Sequence, residues 1–130
     1  MDISEKSVAE KLLIKPGYNI LLLNEPDNYR KLLGQLPAKV ILLTKPEGLF
    51  DLIQVFVTSR QELEEWLPRL KASLKPNGLL WVTYPKGTSK MKTDVNRDSI
   101  NTFAKSVGLQ GVAMISIDDV WSALRLKTLG

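Results

Sequence analysis

The 130-residue chain contains no cysteine and no histidine. Without cysteine there are no disulfides and no thiol chemistry, and without either residue there are no zinc sites of the usual kind and no imidazole acid–base catalysis. Any proton transfer falls to Asp, Glu, Lys or Tyr. Aromatic residues make up only 7% of the chain, and no apolar run approaches the ~18 residues of a membrane span. The opening Met1-Asp2-Ile3-Ser4-Glu5-Lys6 lacks the basic-then-apolar pattern of a signal peptide. A cytoplasmic location with no membrane partner is therefore expected.

The net charge is +4, with basic residues spread along the chain. A nucleic-acid footprint is a concentrated basic stripe, so a solvated surface is expected here and nucleic acid is not an expected partner. Hydrophobic content of 44% and charged content of 25% suit an ordinary globular protein. One domain spanning residues 1–130 is expected, large enough to bury a core without metal or disulfide staples.

Residues 4–14 read as a short amphipathic helix on Val8 and Leu12, stopped by Lys15-Pro16-Gly17. Tyr18-Asn19-Ile20-Leu21-Leu22-Leu23 is a continuous apolar strand of the kind buried on both faces. A turn at 24–27, a helix over 29–36 and strands over 39–43 and 50–57 follow. Thr58-Ser59 opens the clearest helix, with Ser59 and Glu62 in capping-box spacing and Leu63, Trp66, Leu67 and Leu70 on one face. Pro68 should kink it. Lys75-Pro76-Asn77-Gly78 reads as a turn into a strand over 79–84. After a polar loop, Thr93 or Asp94 caps a helix whose inner face is Ile100, Phe103, Ala104 and Val107, ending at Gly108. Strands over 111–117 and 120–127 close the chain, with the last returning antiparallel. Alternating strands and helices imply a three-layer, Rossmann-like α/β sandwich, mostly parallel, with an antiparallel C-terminal strand.

Three segments resemble the skeleton of the S-adenosylmethionine-dependent methyltransferases. They are residues 13–23, Phe50-Asp51-Leu52-Ile53-Gln54-Val55, and Leu74-Lys75-Pro76-Asn77-Gly78-Leu79-Leu80-Trp81-Val82. That resemblance implies a glycine-bearing cofactor loop after the first strand and an acidic residue at the end of the second. The chain instead reads Asn24-Glu25-Pro26-Asp27-Asn28 at the first position and Thr44-Lys45 at the second. Only Pro46-Glu47-Gly48-Leu49 stands where the family has a third strand and its helix. On these departures no cofactor is predicted, and S-adenosylmethionine is the disfavoured alternative. Tyr84-Pro85-Lys86, Thr93-Asp94-Val95-Asn96-Arg97-Asp98 and residues 118–125 are also similar, in order and spacing, to the signature of a family of small bacterial proteins of unknown function.

Ligands of open parallel sheets bind beyond the carboxyl ends of the strands. That edge should gather Lys86, Lys90, Lys92 and Arg97 with Asp94, Asp98, Asp118 and Asp119. One reading is an anion site on Lys86, Lys90 and Arg97, with Thr58 and Asn24 across the cleft. The other is a structural cluster in which Asp118 or Asp119 pairs with Lys86 or Arg97, Asp94 caps a helix, and a buried Arg125 finds a carboxylate. The leading expectation is a non-catalytic, methyltransferase-like domain that binds a small anionic ligand or a protein partner, a second copy among them. The alternatives are a methyltransferase or another small enzyme using Lys86, Asp94 and Arg97, and a basic nucleic-acid-binding module.

Overall fold

The computed structural model describes residues 6–89 and 93–129. Among them the chain runs α1 (Val8–Lys11), β1 (Asn19–Leu23), α2 (Tyr29–Leu33), β2 (Ile41–Leu43), β3 (Phe50–Phe56), α3 (Arg60–Ala72), β4 (Leu74–Pro85), α4 (Arg97–Ser106), β5 (Leu109–Ser116) and β6 (Trp121–Thr128). The strands form one sheet in the order β2-β1-β3-β4-β6-β5. The first four lie parallel, and β6 runs antiparallel to both β4 and β5. This is the expected mostly parallel α/β sandwich with an antiparallel C-terminal pair.

Successive side chains of a strand point to opposite faces, and two cores follow from that alternation. Leu21, Leu23, Ile53, Val55, Leu80, Val82, Leu124 and Leu126 pack under Leu63, Leu67 and Leu70 of α3 and Ile100 and Ala104 of α4. Ile20, Leu22, Leu52, Phe56, Trp81 and Ala123 pack under Val8 and Ala9 of α1 and Tyr29 and Leu33 of α2. Burying both faces requires the near-continuous apolar runs seen in β1 and β3. No helix among the described residues is long and apolar enough to cross a membrane.

Several local expectations are corrected. Ser7 caps α1 by accepting from the Glu10 N–H, so that helix is one turn rather than three. Asn96, not Thr93 or Asp94, caps α4, in a reciprocal bond with Ser99. Residues 75–78 lie inside β4 as an irregular excursion. Phe50 pairs with Leu74 and Leu52 with Leu79, and Asn77 adopts φ 65°. As the sequence implies, Pro68 lies inside α3, which continues past it to Ala72.

The shortest crossover between parallel strands leaves one edge of the sheet uncovered. Residues 44–49 alone join β2 to the parallel β3, where a crossover ordinarily needs ~10–12 residues and a helix. A right-handed crossover takes this link over the face that carries α3 and α4. With no helix on it, Ile41 and Leu43 stay 52% and 40% exposed, and Leu49 is 54% exposed.

Candidate functional site

The connection after β1 runs to β2 on one side, and the connection after β3 runs to β4 on the other. The carboxyl ends of β1 and β3 therefore form the topological switch point where open α/β sheets bind ligands. The β1 end enters the loop at 24–28, in which Asn24 and Asn28 both adopt the left-handed conformation, at φ 61° and 69°. That conformation is the property for which glycine is used in such loops, and asparagine is among the few side chains that tolerate it. A glycine count of this loop therefore understates its geometry.

The loop is anchored from below. Tyr29, the first residue of α2, is 2% exposed and donates its hydroxyl to Gln54 Oε1 at 2.7 Å. Gln54 Nε2 donates in turn to Thr83 Oγ1 at 2.9 Å. The Tyr29 ring meets Phe56 edge-on at 4.7 Å, and Phe56 meets Trp121 in the same way at 5.0 Å. Burial pushes the Tyr29 phenol well above its ordinary pKa; the Gln54 bond offsets part of this, and the Asp118 and Glu25 charges add to it. Gln54 and Thr83 are almost fully buried in otherwise apolar strands. That break in the apolar pattern was the available sequence signal for this network. From the sequence, Tyr29 reads as a helix residue packed on the sheet edge, with a place lining the cleft as the alternative.

Two cavities flank the loop. One, of about 330 Å³, is lined by residues 25–31. The other, of about 260 Å³, lies among Pro26, Asp27, Asn28, Tyr29, Asp118 and Trp121. Glu25 pairs with Arg30 at 3.1 Å on the first side.

The candidate anion residues fall in two groups rather than one. Asn24 stands at the end of β1, and Thr58 beyond the end of β3. Both the amide and the hydroxyl of Thr58 donate to Glu62 Oε1 at 2.8 Å, and its carbonyl accepts from Thr93 Oγ1 at 2.6 Å. Lys86 and Arg97 stand at the other corner, toward β5. Lys86 Nζ donates to Ser116 Oγ at 2.6 Å, and the Arg97 guanidinium rests loosely on Asp98 at 3.8 Å. Lys90 and Lys92 lie outside the described residues.

The expected pairing of Asp118 or Asp119 with Lys86 or Arg97 is corrected: neither ion pair forms among the described residues. Asp118 Oδ1 instead accepts from the Val120 and Trp121 amides at 2.9 and 2.8 Å, closing its own turn. Asp119 is exposed. Asp94 does cap a helix, but a different one, accepting from the Arg60 N–H at the start of α3 at 2.8 Å. Arg125 finds no carboxylate among the described residues; it is half-buried, its guanidinium 5.9 Å from the Trp81 ring. A cation over an indole face needs no carboxylate when water reaches its outer side.

The edge defines a class of fold: a doubly wound sheet with a loop at the switch point and cavities along that loop. Comparison with solved structures gives that class its name. The chain superposes on a ribosomal protein L11 methylase from Lactobacillus delbrueckii subsp. bulgaricus with a TM-score of 0.59 at 13% identity, covering 95% of this chain and 76% of that one. A TehB-like SAM-dependent methyltransferase from Corynebacterium glutamicum gives 0.59 at 14% identity, covering 98% and 89%. A complex of DhpI with SAH gives 0.60 at 10% identity, covering 94% and 83%. No protein-family model and no curated protein matches the sequence. The fold is that of the methyltransferases.

These neighbours correct the expectation that no cofactor belongs to this chain. It rested on missing glycines and a missing acid, yet the same fold is solved with SAH in DhpI and with SAM in LepI. The left-handed Asn24 and Asn28 remove the physical basis of the first objection.

Proposed function

We propose that the chain binds an adenosyl ligand of the S-adenosylmethionine class at the carboxyl ends of β1 and β3. The observation that carries this reading is the pair of left-handed asparagines bracketing the loop at the switch point. They turn the backbone as glycines would, and the Asp27 and Asn28 N–H groups have no intramolecular partner among the described residues. Glu25 and Asp27 put carboxylates on the loop itself, where ribose hydroxyls or an amino group would find them, in place of the acid missing after β2. Tyr29 and Trp121 give the second cavity an apolar wall. At about 260 and 330 Å³, the cavities lie near the ~300 Å³ at which small-molecule sites begin. Bound as S-adenosylmethionine, the ligand would supply an electrophilic methyl group.

Calorimetric titration with S-adenosylhomocysteine tests the reading. A saturable heat is expected, weakened about five- to tenfold in Asp27→Ala by loss of a charged hydrogen bond. No saturable heat at millimolar ligand contradicts it.

A further inference from the structure

A separate cavity of about 250 Å³ lies between α4 and β5, among Arg97, Asn101, Val112, Met114 and Leu124, with Asp98 at its rim. Its apolar side is open to solvent: Val112 and Met114 on this edge strand are 39% and 48% exposed. Behind Met114, and not itself on the cavity wall, lies a poorly matched donor. Tyr84 is only 6% exposed, yet its hydroxyl donates to the Met114 sulfur at 3.1 Å, and a thioether is a weak acceptor. Burial pushes the Tyr84 phenol up, while the Arg97 charge draws it down and Asp98 raises it. The phenol therefore stays a proton donor at neutral pH, within the field of the guanidinium.

Arg97 is equally underused. Its contact with Asp98 is 3.8 Å long between side chains 62% and 90% exposed, a pairing of little worth. Lys86 adds positive charge from Ser116, which lies two residues beyond Met114 on the same face of β5.

We propose that this cavity binds a small carboxylate with an apolar or aromatic body. The carboxylate would lie on Arg97 and the Tyr84 hydroxyl, and the body against Val112, Met114 and Leu124. A guanidinium fork matches a carboxylate in two parallel bonds. At ~30 Å³ per water the cavity has the capacity of roughly eight waters, which suits a benzoate-sized acid. Met114, unbranched and flexible, swings off the phenol to admit it. The site is separate from the adenosyl cleft, because its residues come from α4, β4, β5 and β6 and none of them lines the cavities beside the loop at 24–28.

The test is a titration followed by amide and methyl NMR, with sodium benzoate and inorganic phosphate as probes at constant ionic strength. Benzoate should give saturable shifts at the Asn101 and Gly111 amides and the Met114 methyl, with a dissociation constant below about 10 mM. Arg97→Gln should weaken it at least about tenfold and Tyr84→Phe about threefold, with phosphate at least about tenfold weaker than benzoate. Three results would overturn the proposal: no saturable shift, unchanged affinity in Arg97→Gln, or phosphate binding as tightly as benzoate. Arg97 is exposed, so its variant keeps the fold and carries the test even if Tyr84→Phe does not fold.

Discussion

Replacing Tyr29 with Phe should destabilise the protein at neutral pH and cease to matter in strong alkali. Phe preserves the edge contact with Phe56 and removes only the hydroxyl that reaches Gln54 Oε1. Gln54 is 1% exposed, so its oxygen loses its donor where water cannot replace it, at a cost of about 2 kcal/mol. The pH dependence has the opposite sign. The folded Tyr29 holds its proton well above the ordinary phenol value, whereas the unfolded chain releases it near ~10. Between those two values the folded state binds more protons, so stability falls as pH rises, by about 1.4 kcal/mol per pH unit. The contribution is complete below about pH 10 and is lost above it; by about pH 11.5 the wild type has given up roughly 2 kcal/mol that the variant never had. Urea unfolding of both proteins from pH 8 to 11.5 should show a gap of about 2 kcal/mol that closes. A gap that is absent at pH 8, or constant across the range, refutes the buried hydroxyl bond.

Other consequences are measurable by the same unfolding assay. Asp94→Ala should cost about 1 kcal/mol by uncapping α3, with Asp94→Asn costing less because it keeps an acceptor; equal losses in both would point to charge instead. Asn24→Ala should cost about 1–2 kcal/mol at its left-handed backbone, while Asn24→Gly stays within about 0.5; if both are neutral, the loop does not hold that turn. Burial pushes the Asp51 carboxyl up, but the Asn19 N–H and Lys75 outweigh it and hold it below the usual range. Its contribution is complete above the unfolded value near ~3.9 and is lost as pH falls through the lower folded one, so Asp51→Asn should cost at most about 1 kcal/mol at pH 7 and progressively less as pH falls below ~3.9. A difference that persists in acid would show that the carboxylate charge is not its source.

The sheet was legible because its code is local. The continuous apolar runs of β1 and β3 announce strands buried on both faces, and Ser59 announces the start of α3, where it accepts from the Glu62 N–H at 3.1 Å. The α4 cap was harder to read because Thr93, Asp94, Asn96 and Asp98 are all cap-forming residues in one short stretch. A tertiary contact decides among them, since Asp94 is drawn to the start of α3 and leaves Asn96 at the start of α4. The charged cluster misled for a related reason. Topology does bring Lys86 and Asp118 to one edge, but backbone amides two and three residues away claim the carboxylate first. The loop at 24–28 misled through composition, because asparagine can supply a left-handed turn that was sought only in glycine.

The central claim is that the loop at the β1–β3 switch point holds an adenosyl ligand. A crystal structure grown with S-adenosylhomocysteine tests it most directly. The account predicts ligand density against residues 24–29, with the Asp27 or Asn28 N–H bonded to it; an empty cleft there, or the ligand seated elsewhere, contradicts it.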